Sequence, residues 1–146
     1  MAVATDAKGK AYAPRHYDVG REKIREYALA VGEESAVHFD PEAARAAGFR
    51  DVVAPPMFAA VFSRDSVWEG LLDPEVGIDF AMMVHGGQEF VWDEPVCAGD
   101  LITTETTVSD VYAQDGKGFY VFESRSRNQD EREVVHGTWT CIVRDR

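Results

Sequence analysis

An α+β domain in which one long helix is wrapped by an antiparallel sheet is the architecture that the sequence predicts, on three observations. Apolar residues recur at helical intervals in the first half of the 146-residue chain. From Met82 onward their period drops to two, with Gly and Asp marking turns. The run that precedes this change is apolar on more than one face, so it must be covered on more than one side. The length fits one domain over residues 1–146 with one sizeable core.

Each element has its own justification. Residues 21–31 place Ile24, Tyr27, Ala28 and Val31 on one helical face, and Gly32 ends the run. Asp40 followed by Pro41 reads as an N-cap with proline at the first helical position, and Gly48 as the residue that closes this short helix. After Val52-Val53-Ala54-Pro55-Pro56, the residues Met57, Phe58, Val61, Phe62, Val67, Trp68, Leu71 and Leu72 form the long, largely buried helix. Four strands follow at 82–92, 101–112, 119–128 and 134–143, joined by short turns into an expected meander. The last two carry apolar side chains on both faces, which calls for a second cover, a partner subunit or a loop layer, beyond the helix.

Composition narrows function. Fifteen Lys and Arg against 26 Asp and Glu give a net charge of −11, without the general basic field of nucleic-acid or anionic-membrane binders. The first ten residues lack a signal-peptide apolar core, and no run approaches the ~20 apolar residues of a membrane span. Cys97 and Cys141 are the only cysteines, read as free thiols in a reducing cytoplasm. Taken alone, His38 reads as a loop histidine satisfied by a carboxylate such as Asp40, His85 as structural or pocket-lining, His136 as an interface or core-edge residue, and His16 as solvated. His38, Asp40 and Glu42 lack the second ligand cluster of a closed metal site, so no metal is expected.

Two local signatures carry a family resemblance. Gly32-Glu33-Glu34-Ser35-Ala36-Val37-His38, with Ala44 six positions beyond, resembles the hydratase motif G/S-D-x-N-P-(aliphatic)-H-x5-A. His85-Gly86-Gly87-Gln88-Glu89-Phe90 running through Pro95-Val96-Cys97-Ala98-Gly99-Asp100-Leu101 resembles Q-x-F-x-x-P-V-x-x-G-D-x-L. Both belong to the MaoC-like (R)-specific enoyl hydratases and (3R)-hydroxyacyl-thioester dehydratases. Ala54-Pro55-Pro56-Met57-Phe58 adds similarity to the branch of N-terminal MaoC-like domains and actinobacterial dehydratase subunits. The resemblance covers about residues 17–143 and implies a hot-dog fold, a homodimer or heterodimer, and an acyl-CoA or acyl-carrier-protein thioester as substrate.

By that resemblance His38 takes the family's histidine position and Glu33, five residues earlier, its aspartate position, as the acid/base pair. Ser35 stands where the family has Asn and would hold His38 or a water. Pro55-Pro56 replaces a His-Gly pair whose glycine N–H holds the thioester oxygen, and proline has no N–H. The first-turn amides of Met57 and Phe58, expected to be unpaired, would bind substrate in its place. Arg21, Lys23, Arg25, Arg45 and Arg50 are either a solvated face or a dock for coenzyme A phosphates or an acidic carrier protein. Three functions stay open: a cofactor-independent dehydratase or hydratase, a non-catalytic subunit that binds the acyl chain in a heterodimer, and a hot-dog thioesterase.

Overall fold

A computed structural model of the chain describes residues 2–144. Its main elements are β1 (Arg15–Asp18), α1 (Arg21–Ala30), α2 (Pro41–Ala46), α3 (Ala59–Leu72), β2 (Met83–Trp92), β3 (Leu101–Gln114), β4 (Lys117–Arg127) and β5 (Glu133–Arg144). Single 3-10 turns lie at Thr5–Ala7, Ala36–His38, Pro56–Phe58 and Phe80–Met82. Among the described residues no helix is long and apolar enough to cross a membrane.

Local chemistry sets the helices as the sequence implied. In α1 only Ile24 and Ala28 are fully buried, the two residues that meet the core face. The Asp40 side chain accepts from Glu42 N–H at 2.9 Å and Pro41 opens α2, while Gly48 closes it at φ 95°, a conformation that costs a side-chain-bearing residue more. The central helix begins later than its apolar run suggests. Pro56–Phe58 form a tighter 3-10 turn, and α3 proper starts at Ala59. Nor is α3 buried all round: Ala59, Phe62, Ser63, Ser66, Val67 and Gly70 face the sheet, whereas Trp68 and Leu72 stay exposed.

The sheet has five antiparallel strands, in the order β1-β3-β4-β5-β2. Two expectations change. β1 is a fifth strand, only four residues long and mostly exposed, paired to the start of β3. The meander holds for β3, β4 and β5 but not for β2, which pairs with β5 at the far edge. Residues 93–100 do not turn straight back, because they pair with the segment before α3. Ala54 N–H donates to Val96 O at 2.8 Å, Ala98 N–H donates to Val52 O at 3.0 Å, and Val53 bridges Cys97.

The inner face of the sheet packs on α3. Tyr120, Phe122, Ile102, Val108, Val134 and Val143 are almost wholly buried there, with Phe58 and Val67 opposite. Helix and sheet approach closely at Gly70, where a Cβ would sit 2.6 Å from Phe122 Cε1. Hydroxyl pairs satisfy the polar atoms enclosed by this contact: Ser66 with Thr106 at 2.7 Å and Thr104 with Ser126 at 2.7 Å. The outer face carries Tyr112 stacked on Phe119 at 4.8 Å, with Ile142 and Val84 in the same row across β5 and β2. Cys97 and Cys141 are free and buried.

Ion pairs fasten the periphery and impose an acid limit. Arg21 grips Asp51 with two hydrogen bonds, 2.9 and 2.7 Å, and these hold the Asp51 carboxyl down at about 2. Lys10, followed by Tyr12, does the same for Asp73, also at about 2. Carboxyls depressed in the folded state contribute stability that is complete above their ordinary value near 3.8 and is lost as pH falls toward 2. The urea midpoint is therefore expected to drop between about pH 5 and about pH 2.5, and to drop less in Asp51→Asn.

Candidate active site

The site is built where the chain leaves α1 and again where it enters α3. Glu33 N–H caps back onto Ala28 O at 2.9 Å, which fixes where the loop 33–35 departs. The 3-10 turn Ala36–His38 then brings His38 against the extended segment around Val53, and Val53 N–H donates to Val37 O at 2.9 Å. In return the His38 Nδ1 lies 2.6 Å from Val53 O. A carbonyl only accepts, so Nδ1 carries a proton, and in the ring's neutral form Nε2 is the bare nitrogen. That Nε2 lies 3.6 Å from Glu33 Oε2, beyond hydrogen-bond length, with the imidazole 10% exposed and the carboxylate 38%. Two acceptors converge on one point, where a proton or a water hydrogen would be shared.

Two hollows flank this pair, divided by Pro55 and Pro56. His38 opens on a cavity of about 650 Å³ walled by Val37, Phe49, Ala59, Phe62, Val96 and Val134. Glu33 opens on a second hollow of about 410 Å³ with Tyr27, Val31 and Met57. The Trp92 indole ties strand β2 to the dividing wall, donating from Nε1 to Pro56 O at 2.8 Å. Met57 N–H has no acceptor among the described residues and lies beside the Glu33 hollow. The Phe58 amide, expected to be unpaired, instead donates to Pro55 O at 2.9 Å, and the Phe58 ring is fully buried between Tyr17, Tyr27 and Phe62.

The structure thus brings Glu33, His38 and Met57 together and leaves two other candidates apart. Ser35 is exposed, lines neither hollow, and touches His38 only through its carbonyl, which accepts His38 N–H at 3.2 Å. Asp40 does not satisfy His38, since its side chain caps α2, and Glu42 pairs with Arg45. His85 stacks on Trp139 at 5.8 Å beside a separate cavity of about 190 Å³. His136 sits on the outer sheet face, 3.7 Å from Glu123. The five basic residues between positions 21 and 50 are neutralised one by one: Arg21 by Asp51, Lys23 by Glu26, Arg25 by Glu22, Arg45 by Glu42, and Arg50 by Asp100. Sequence reasoning did not single out the Val53 carbonyl or Trp92. The first is main chain and leaves no residue signature; the second had a signal, an aromatic ending a strand just before Asp93-Glu94-Pro95.

This combination of a helix wrapped by one antiparallel sheet and a carboxylate–imidazole pair at the helix entrance defines a hot-dog protein of the MaoC-like dehydratase and hydratase class. Residues 6–137 match the FAS1-like, dehydratase domain region, and the chain belongs to that family. It is 43% identical over 145 residues to a UPF0336 protein of Clavibacter michiganensis subsp. michiganensis, covering 99% of this chain and 97% of that one. A UPF0336 protein of Thermobifida fusca is 37% identical over 145 residues, covering 99% and 95%. Among solved structures, a C-terminally truncated HadBC (3R-hydroxyacyl-ACP dehydratase) complex of Mycobacterium tuberculosis superposes with a TM-score of 0.84 at 28% identity, covering 96% of this chain and 99% of that one. The class is one of hydro-lyases.

Proposed function

We propose that the chain is a cofactor-independent (3R)-hydroxyacyl-thioester dehydratase, equally an enoyl-thioester hydratase, working as one of two paired hot-dog units. One observation carries the reading: the Val53 carbonyl fixes the His38 ring so that its free Nε2 faces Glu33 at the wall of a large apolar cavity. In the hydration direction the pair takes a proton from water as its oxygen bonds to C3 of the enoyl thioester, and a proton is returned to C2. Negative charge grows on the thioester oxygen meanwhile, and the unpaired Met57 N–H is the donor within the site that can meet it. The cavity wall of Val, Phe and Ala side chains suits an acyl chain. Edge strand β2, with Val84, Val91 and Trp92 exposed, is where a second unit would complete the sheet and the site. The test is hydration of crotonyl-CoA by the purified chain, followed by loss of enoyl-thioester absorbance.

A second reading, a non-catalytic subunit that binds the acyl chain beside a catalytic partner, is favoured by the wall itself. Pro56 has no N–H to give, and the Phe58 amide is already used. Pro56→Gly separates the two. If the dyad is productive, the restored amide is expected to raise kcat by about tenfold or more, since one such donor is worth ~100-fold in favourable sites. If the chain only binds, neither the native protein nor Pro56→Gly will hydrate crotonyl-CoA without a partner.

A further inference from the structure

The turn ending in Gly99-Asp100 carries a buried carboxylate to which the mechanism above gives no task. Asp100 is 1% exposed. Its Oδ1 accepts from Arg50 Nη2 at 2.6 Å and from Gln129 Nε2 at 3.0 Å, and its Oδ2 accepts the Cys97 N–H at 2.9 Å. Its own N–H donates to Cys97 O at 3.1 Å. Asp100 thus engages both main-chain groups of Cys97, as a neighbouring strand would, with the added strength of an ionised acceptor.

Cys97 stands opposite Val53. The two form a non-hydrogen-bonded antiparallel pair, joined through their neighbours by Ala54 N–H to Val96 O and Ala98 N–H to Val52 O, so each turns its own N–H and C=O away from the other. Cys97 turns them to Asp100. Val53 turns them to the other side, where its N–H meets Val37 O at 2.9 Å and its carbonyl meets His38 Nδ1 at 2.6 Å. Segments 37–38, 52–54 and 96–98 therefore lie in series, and Asp100 closes the end away from His38. Arg50 leads directly into the middle segment, so its guanidinium ties that segment to the same carboxylate a second time.

Resting on the acid/base reading of His38 above, we propose that Asp100 is a positioning residue for the imidazole: by holding Cys97 it fixes the Val53 carbonyl, and through that carbonyl the direction in which Nε2 points. Asp100 lines neither hollow and acts only through main chain. Without it the 52–54 segment keeps its partners at 96–98, but that pair of segments loses its outer anchor and the carbonyl its fixed place. A displacement of about 1 Å at a catalytic group costs up to ~100-fold in rate. The two Oδ1 contacts have a separate task, since Arg50 and Gln129 balance and anchor the carboxylate without touching Cys97.

The experiment follows the His38 Nδ1 proton by NMR in the full chain labelled with 15N-histidine, the signal being assigned by its loss in His38→Gln. In the native chain this proton should be protected from solvent exchange. Asp100→Ala should speed its exchange by about tenfold or more, and should lower kcat for crotonyl-CoA by about 10- to 100-fold with KM within about threefold of native. Asp100→Asn keeps an oxygen for the Cys97 N–H and turns its amide toward Arg50, whose side chain is 58% exposed and can swing to water. It should bring exchange and kcat back to within about threefold of native. Gln129→Ala removes an Oδ1 bond from the same carboxylate and reports on stability alone: the urea midpoint should fall while exchange and kcat stay native. Where Asp100→Ala does not fold, Asp100→Ser, whose oxygen is one bond too short for the Cys97 N–H, takes its place. Native exchange in the folded Asp100 variant, equal changes in Gln129→Ala, or an unprotected His38 proton in the native chain each overturns the proposal. A native chain that leaves crotonyl-CoA unhydrated overturns the acid/base reading instead, and the His38 proton then decides by itself whether Asp100 holds the ring.

Discussion

Crotonyl-CoA hydration is expected to fall by about a thousandfold or more in His38→Ala, the scale on which a positioned general acid/base acts. The imidazole is the one group here whose two nitrogens have separate tasks, Nδ1 on the Val53 carbonyl and Nε2 toward Glu33. Alanine removes both, so loss of activity alone would not separate chemistry from misfolding. His38→Gln does separate them, because its amide N–H can still reach a carbonyl acceptor while offering no group that takes up a proton near neutral pH. It should fold with the native circular dichroism spectrum and remain inactive. Glu33→Gln, which keeps shape and removes the charge, should lose about a hundredfold or more. Unchanged turnover in His38→Gln and Glu33→Gln would sink the dyad.

Phe58→Ala is expected to produce the largest loss of stability, about 3–5 kcal/mol. The ring is fully buried and meets Tyr27 edge-on at 5.4 Å, Tyr17 at 6.2 Å and Phe62 at 6.2 Å. Truncation leaves a hole between α1, β1 and the first turn of α3 that three rigid aromatic neighbours cannot fill. The midpoint of urea unfolding should move sharply down with little change in slope. Met57→Ala, one residue away and 47% exposed, should stay within about 0.5 kcal/mol of the native protein. A cost below about 1 kcal/mol for Phe58→Ala would contradict the packing described here.

The elements with local causes were legible in the sequence. The cap at Asp40, the close at Gly48 and the alternation in β3, β4 and β5 each arise from neighbours in the chain, and each is present. β1 was not legible, because four mostly exposed residues make no alternating pattern. The position of β2 was missed for a different reason. Whether a strand turns back on the next one depends on what the connection pairs with, and residues 96–98 pair with a segment more than 40 positions earlier. At the site, five-residue spacing brought Glu33 and His38 within 3.6 Å. The fate of the amides was not readable, since the bond from Phe58 N–H to Pro55 O depends on a 3-10 turn rather than on residue type. The basic residues stayed open between a solvated face and a dock because composition does not say which carboxylate each one meets.

The aim of His38 is set by main chain, since Val53 contributes only its amide and carbonyl to the grip on that segment. Any side chain at position 53 that fits the buried wall would leave the imidazole pointing the same way. Orientation is therefore insulated from mutation in a way that reactivity is not. Exchanges at positions 33 and 56 can add or remove a proton carrier or an amide donor while the ring stays where it is. An active subunit and a silent one can then be neighbours on a short mutational path, sharing one scaffold and differing by two side chains.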